Sequence, residues 1–395
     1  MKTFWEVAAA IGLAAGLGGA ALAETPGVTD TEIKLGQTGA YSGPASIASP
    51  VVKSTVAYFN MVNDNGGING RKINLISLDD GYSPPKTVEL TRKLVEQDEV
   101  LLLFGQVGSA NGIAVRDYLN SMEVPQLLMQ SGASALNNPK DYPWTIATSI
   151  TYRGEAVEFG KYLAKQMPDA KVAIIYQNDD FGRDYHEGVR DGLGDKTDMI
   201  VAEQSFETSD PTINSQLLSL KSSGADVLVI GAVTKFAIMS LRFLGENDWH
   251  PQVMLSNGST SISNVLEPAG FENAKGAITA TPYKDPATAK ANNDPEYEKY
   301  AAFMAKYAPD LNPNDTYAQS GYIGVQIMEE ILKRAGDDLS RENIKAVATN
   351  FEGFRPGMIG EAVSIRITPD NYQMYDRLQF MRFDGEKWVS FDAGL

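Results

Sequence analysis

The chain contains no cysteine and only two histidines, His186 and His250. These absences exclude thiol nucleophiles, iron–sulfur clusters, zinc fingers and multi-histidine metal sites. Positive charge is scarce as well: 34 basic against 50 acidic side chains leave 34 − 50 = −16 over 395 residues. Such an excess repels phosphate backbones and anionic membrane surfaces, so nucleic acid is not an expected partner. Past residue 23 no apolar run reaches the roughly 20 residues that a membrane-spanning helix needs. The length predicts two domains, each able to bury a core without metal or disulfide.

What is present begins with Lys2 and an apolar stretch from Val7 to Leu22, closed by Ala21-Leu22-Ala23. Small residues at the −3 and −1 positions after a short apolar core predict an export signal cleaved after Ala23. The mature chain would then have 395 − 23 = 372 residues. A retained membrane anchor is the other reading of this segment. Beyond it, short β-branched runs alternate with stretches of helical period, the pattern of parallel sheets wrapped by helices. Strands are predicted at Ile33–Thr38, Lys72–Leu78, Val100–Phe104 and Pro125–Met129, and again at Lys171–Tyr176, Met199–Ser205, Asp226–Gly231, Gln252–Ser256 and Gly276–Ala280. Two such series imply two α/β lobes. Helical patterns at 295–307, 317–335 and 341–349 follow, then short strands at Val363–Ile367, Leu378–Phe383 and Trp388–Phe391 with a hairpin turn at Asp384-Gly385.

Searches for reactive chemistry fail. Gly192-Leu193-Gly194-Asp195-Lys196-Thr197 resembles a phosphate loop, but Asp195 puts a negative charge where phosphate would sit. There is no Gly-x-Ser-x-Gly elbow, and the prolines of Ser83-Pro84-Pro85-Lys86 interrupt its Ser-x-x-Lys pattern. Asp79-Asp80 and Asp179-Asp180 each follow a strand, where neighbouring side chains diverge, so loop capping is expected of them. What is left is small polar residues just after strands, where open α/β sheets take ligands. They are Thr38 to Pro44 with Tyr41 and Ser42, Gly105 to Ser109 with Gln106, and Ser131 to Ser134. Hydroxyls and free N–H groups at helix starts suit a carboxylate.

In their order and spacing, Ser42-Gly43-Pro44, Asn63 to Arg71, Asp79-Asp80, Gly105 to Ser109, Ser131 to Ser134, Tyr176 to Gly182 and Gly385 to Trp388 resemble the type I periplasmic solute-binding proteins of ABC transporters, of the leucine/isoleucine/valine-binding kind. The resemblance implies two doubly wound parallel-sheet lobes joined by a three-crossing hinge and closing on a ligand. Crossings are expected near Thr148, Thr281 and Phe354. Lobe one would comprise 24–148 plus 282–354, and lobe two 149–281 plus 355–395. The family's carboxylate contacts fall on Ser109, Ala133 and Ser134. Its ammonium-facing acids fall on Asn257 and Tyr152, and an aromatic position falls on Ala48, which leaves more room. Burying an ammonium without a counter-charge costs several kcal/mol, roughly, which argues against an ordinary amino acid.

The implied function is a periplasmic protein that captures a small carboxylate, an aromatic acid being one candidate, and delivers it to an inner-membrane ABC permease. Tyr41, Tyr152, Phe181 and Tyr317 would enclose the ligand. Arg153 would either add a bidentate carboxylate contact or sit on the hinge surface. No catalytic residue, metal or cofactor is expected, and the chain is expected to be a monomer. The alternatives are a branched-chain or other amino-acid binding protein, the ligand-sensing module of a receptor, and a secreted carboxylate-dependent hydrolase.

Overall fold

The computed structural model describes residues 25–43, 45–148 and 150–395. The export-signal reading and Pro44 lie outside them. In the first lobe, β1 (Glu32–Gly39), β2 (Lys72–Asp79), β3 (Leu102–Phe104), β4 (Gln126–Met129) and β5 (Thr145–Ala147) form a parallel sheet in the order β2-β1-β3-β4-β5. Every residue of β3, β4 and β5 is buried, as a parallel sheet covered by helices on both faces requires. The covering helices include α1 (Ser49–Asp64), α2 (Pro84–Glu96) and α3 (Ser109–Ser121). The helices Pro295–Tyr307 and Thr316–Ala335 pack on α1 through Tyr58, Phe303 and Tyr322, whose rings lie 5.1 to 5.5 Å apart.

The second lobe repeats the plan. Helices α4 (Tyr152–Gln166) and α5 (Asp180–Leu193) flank strands β6 (Val172–Gln177), β7 (Ile200–Phe206), β8 (Val227–Gly231), β9 (Gln252–Leu255) and β10 (Ile278–Thr281), in the order β10-β9-β8-β6-β7. A two-stranded ribbon, β11 (Phe351–Glu352) with β12 (Arg366–Ile367), belongs to lobe one. The C-terminal hairpin, β13 (Gln379–Phe383) and β14 (Trp388–Phe391), adds antiparallel to β10. Its turn is closed by Asp384, whose carboxylate accepts bonds from the N–H groups of Glu386 and Lys387. In each parallel sheet the first strand lies between the second and third. The strand order therefore reverses at β1/β3 and at β6/β8, where α/β sheets bind ligands beyond the strand carboxyl ends.

Two features depart from the sequence expectations. No helix is expected over Tyr152–Gln166, yet Tyr152, Ala156, Phe159 and Leu163 recur at helical spacing and the segment forms α4, capped by the Thr151 hydroxyl, which accepts from Gly154 N–H. Its Gly160 abuts α5 so closely that a Cβ there would come within 2.5 Å of the Val189 carbonyl oxygen. The third crossing is also displaced. Met358, Ile359, Ile365, Ile367, Tyr372 and Tyr375 are buried in the lobe-one core, and Tyr372 bonds the Asn137 side chain and the Pro143 carbonyl. The last passage between lobes therefore falls between Tyr375 and Gln379, not at Phe354, and residues 355–375 belong to lobe one.

Candidate functional site

The lobe-one wall of the cleft is built on the start of α3. Its first intrahelical bond of this turn runs from Gly112 N–H to Gly108 O, so the N–H groups of the preceding turn have no helical acceptor. Ser109 opens the helix, and its hydroxyl lies 2.8 Å from that of Ser131, which also accepts from Ala133 N–H. Tyr152, from the other lobe, donates its N–H to Gly132 O at 2.7 Å. Its ring lies so close that a Cβ on residue 132 would approach it to 2.9 Å. Glycine at 132 is thus required by the approach of the opposite lobe.

The facing wall rests on an acid that sequence reasoning missed. Glu155, on α4, is completely buried. It accepts bonds from Tyr185 OH (2.7 Å), Asn257 N–H (2.9 Å) and the Asn257 side-chain amide. Burial pushes its carboxyl from the usual 4.5 up to about 8, against the pull of those three donors. The available signal was the helical stripe of α4, on which Glu155 stands four residues before Phe159 and seven before Tyr162. Phe181 and Tyr185 stand behind Tyr152 at 4.7 and 5.8 Å, so Phe181 supports the cleft rather than lining it.

Direct bonds cross between the lobes. Tyr317 donates its hydroxyl to Gly258 O at 2.9 Å and lies 2.9 Å from the Thr234 hydroxyl. Ser134 N–H donates to the Asp184 carboxylate at 2.7 Å. Burial raises the Asp184 carboxyl to about 6, opposed by its bonds to Ser134. The lobes are therefore latched shut around a cavity of about 140 Å³, room for on the order of ten non-hydrogen atoms at one water-sized sphere each. Ser131, Gln130, Tyr152, Asn257 and Tyr317 are among its lining residues, as are Thr279, Thr281, Lys284, Asp285 and Met381 toward the hinge crossing at Thr281, with Thr260 and Trp388 joined there by the bond from Trp388 Nε1 to Thr260 O. Lys284 is committed to Asp294 and Glu296.

Of the residues singled out from sequence, the structure brings Tyr152, Asn257, Tyr317 and Ala48 together on the cavity wall, with Ser109 one step behind Ser131. Tyr41 packs against the adjoining Val51, Val52 and Val107 cluster, its hydroxyl 2.7 Å from Ser77. Five others lie elsewhere. Arg153 is not in the cleft: its guanidinium reaches Glu187 (2.5 Å) and Asp191 (2.7 Å) on α5, with 41% of the side chain exposed. It is a surface arginine because α4 turns the neighbouring Glu155 inward. Gln106 is buried in the lobe-one core, donating to Thr38 and accepting from Gln126. Ser42 is exposed and bonds Asp79, which also caps the 41–43 turn. Ala133 is buried, and Ser134 spends its N–H on Asp184.

Residues 32–387 match the sequence profile of the Periplasmic binding protein family. A Leu/Ile/Val-binding protein homolog 7 of Brucella abortus (strain 2308) is 23% identical over 358 residues, 86% of each chain. A branched chain amino acid ABC transporter protein from Thermus thermophilus with bound valine superposes with TM-score 0.82 at 18% identity, over 92% of this chain and 96% of that one. A solute binding protein of an ABC transporter from Rhodopseudomonas palustris BisB5, in complex with 3,4-dihydroxy benzoic acid, gives TM-score 0.74 at 19% identity, over 92% and 98%. With two lobes of matching topology, a cleft at both switch points and a profile match over nearly its whole length, the chain belongs to the periplasmic binding protein family, with the type I fold of its leucine/isoleucine/valine-binding members.

Proposed function

We propose that this solute-binding protein captures a small monocarboxylic acid with an apolar or aromatic body and presents it to an ABC permease. The acid group would meet the Ser131 hydroxyl, backed by Ser109 and the open N-terminus of α3, whose aligned peptide dipoles favour negative charge. Tyr152 and Tyr317 would hold the body of the ligand.

One observation carries the choice of an acid over an amino acid. At the wall where leucine-type relatives place an acid toward the ammonium group stands Asn257, and both oxygens of Glu155, the buried acid behind it, already accept bonds from Asn257 and Tyr185. At the hinge end, Asp285 spends one oxygen capping the helix that starts at Pro286. An unpaired ammonium would cost several kcal/mol, roughly, in this setting. The neighbours bound to valine and to 3,4-dihydroxy benzoic acid show that this fold accepts either class.

The decisive comparison is leucine against 4-methylpentanoate, the same skeleton without its amino group, together with benzoate. A saturating ligand at 100 times its dissociation constant adds about 2.7 kcal/mol of stability. The acids are expected to raise the melting temperature and leucine to leave it unchanged. A shift with leucine and none with either acid would overturn the assignment.

A further inference from the structure

We propose that the hinge end of the cavity is a second polar subsite, built on Thr279, which takes a neutral hydroxyl at the far end of the bound acid. This rests on the carboxylate reading and narrows the solute to a hydroxylated monocarboxylic acid. Along β10, Ile278 and Ala280 face the lobe-two core, while Thr279 and Thr281 line the cavity. Thr279 is 1% exposed, and its hydroxyl has no hydrogen-bond partner. Its polar neighbours are committed. Thr281 Oγ1 accepts from Tyr283 N–H, Thr260 Oγ1 donates to Asn257 O, and Trp388 Nε1 donates to Thr260 O. Gln319 donates to the Lys284 carbonyl.

A buried hydroxyl without a partner destabilises the empty protein, whereas valine has the same shape at no such cost. A ligand hydroxyl would satisfy it, since a threonine hydroxyl both donates and accepts. Charge then decides between a hydroxyl and a second carboxylate. The one ammonium at this end, Lys284, is held by Asp294 and Glu296, with Asp285 beside it. Glu296 also pairs with Arg355, so three acids stand against two bases, and the remaining negative charge disfavours a further anion. Met381 and Trp388 supply apolar surface on the same wall, which suits a ring leading to the hydroxyl.

The test is calorimetric titration of the full chain and of Thr279→Val and Thr279→Ser with benzoate, 3-hydroxybenzoate, 4-hydroxybenzoate and benzene-1,4-dicarboxylate. In the wild type at least one hydroxybenzoate should bind on the order of tenfold tighter than benzoate, and the dicarboxylate more weakly than either. Thr279→Val should bring the hydroxybenzoate-to-benzoate ratio to about one while raising the melting temperature of the ligand-free protein. Thr279→Ser should keep the preference. Wild-type discrimination persisting in Thr279→Val, or no preference in the wild type, overturns this subsite alone. If leucine binds and none of the acids does, the carboxylate reading fails and the subsite with it.

Discussion

Replacing Glu155 by glutamine should abolish one specific pH dependence of stability. The carboxyl is fully buried among three donors and titrates near 8 instead of 4.5, chiefly because burial penalises its charge. Its folded value lies above its unfolded one, so between these two pH values the native state holds a proton that the unfolded chain has released. The stability from that proton is fully present below about pH 4.5 and lost as pH rises through about 8. Across that window wild-type stability should fall by about 1.4 kcal/mol per pH unit relative to Glu155→Gln, on the order of 4 kcal/mol from pH 5 to 8. The glutamine keeps one carbonyl acceptor but turns an amide N–H toward a donor of Asn257 or Tyr185. It therefore starts roughly 1 to 3 kcal/mol less stable than protonated wild type and overtakes it as the pH rises. Asp184, raised to about 6, titrates in both proteins and cancels in the difference. Urea denaturation followed by circular dichroism at unit pH intervals from 5 to 9 measures it. A wild-type-minus-variant difference that stays constant with pH would refute the placement of Glu155 as a buried, proton-holding acid behind Asn257.

Arg153→Met should change acid affinity less than about twofold and stability by no more than about 1 kcal/mol, because its partners are exposed carboxylates outside the cleft; a tenfold loss specific to acids in calorimetry would return the arginine to the site. Ser131→Ala should weaken acid binding by about 1 to 3 kcal/mol and Ser109→Ala by less, since Ser109 acts through Ser131. Equal affinities in both variants and wild type, with folding verified, would move the carboxylate elsewhere. Tyr317→Phe removes the hydroxyl that joins Gly258 and Thr234 across the cleft. It should enlarge the ligand-free radius of gyration in small-angle scattering and weaken binding about tenfold, and an unchanged radius would show that these bonds do not hold the lobes shut.

Local chemistry made much of this protein legible from the sequence. The buried apolar run of β8 places that strand within a residue, because a parallel sheet buried on both faces admits little else. Asp79 and Asp80 act as loop caps, as adjacent acids after a strand should, Asp79 holding the 41–43 turn and Asp80 holding Tyr82 N–H and Thr87. The Asp384-Gly385 turn makes its hairpin. Each of these rests on a residue and its near neighbours in the chain.

The direction of a side chain does not. Arg153 and Glu155 stand two residues apart on α4, so they point to opposite sides of the helix. Only the packing of that helix on α5 and β10 decides which one is buried. The packing turned the acid inward, where low dielectric holds its proton, and left the arginine to pair with Glu187 and Asp191 in solvent. Likewise the last crossing moved from Phe354 to beyond Tyr375 because residues 358–375 find their apolar partners on helices and strands far away in the chain. The sequence by itself determined most of the elements and the two-lobe plan. Which residues come together in the cleft depends on contacts between segments 59 to 102 residues apart, Asn257 on Glu155 and Tyr317 on Gly258 and Thr234, since burial is a property of the assembled lobes and not of any stretch of chain.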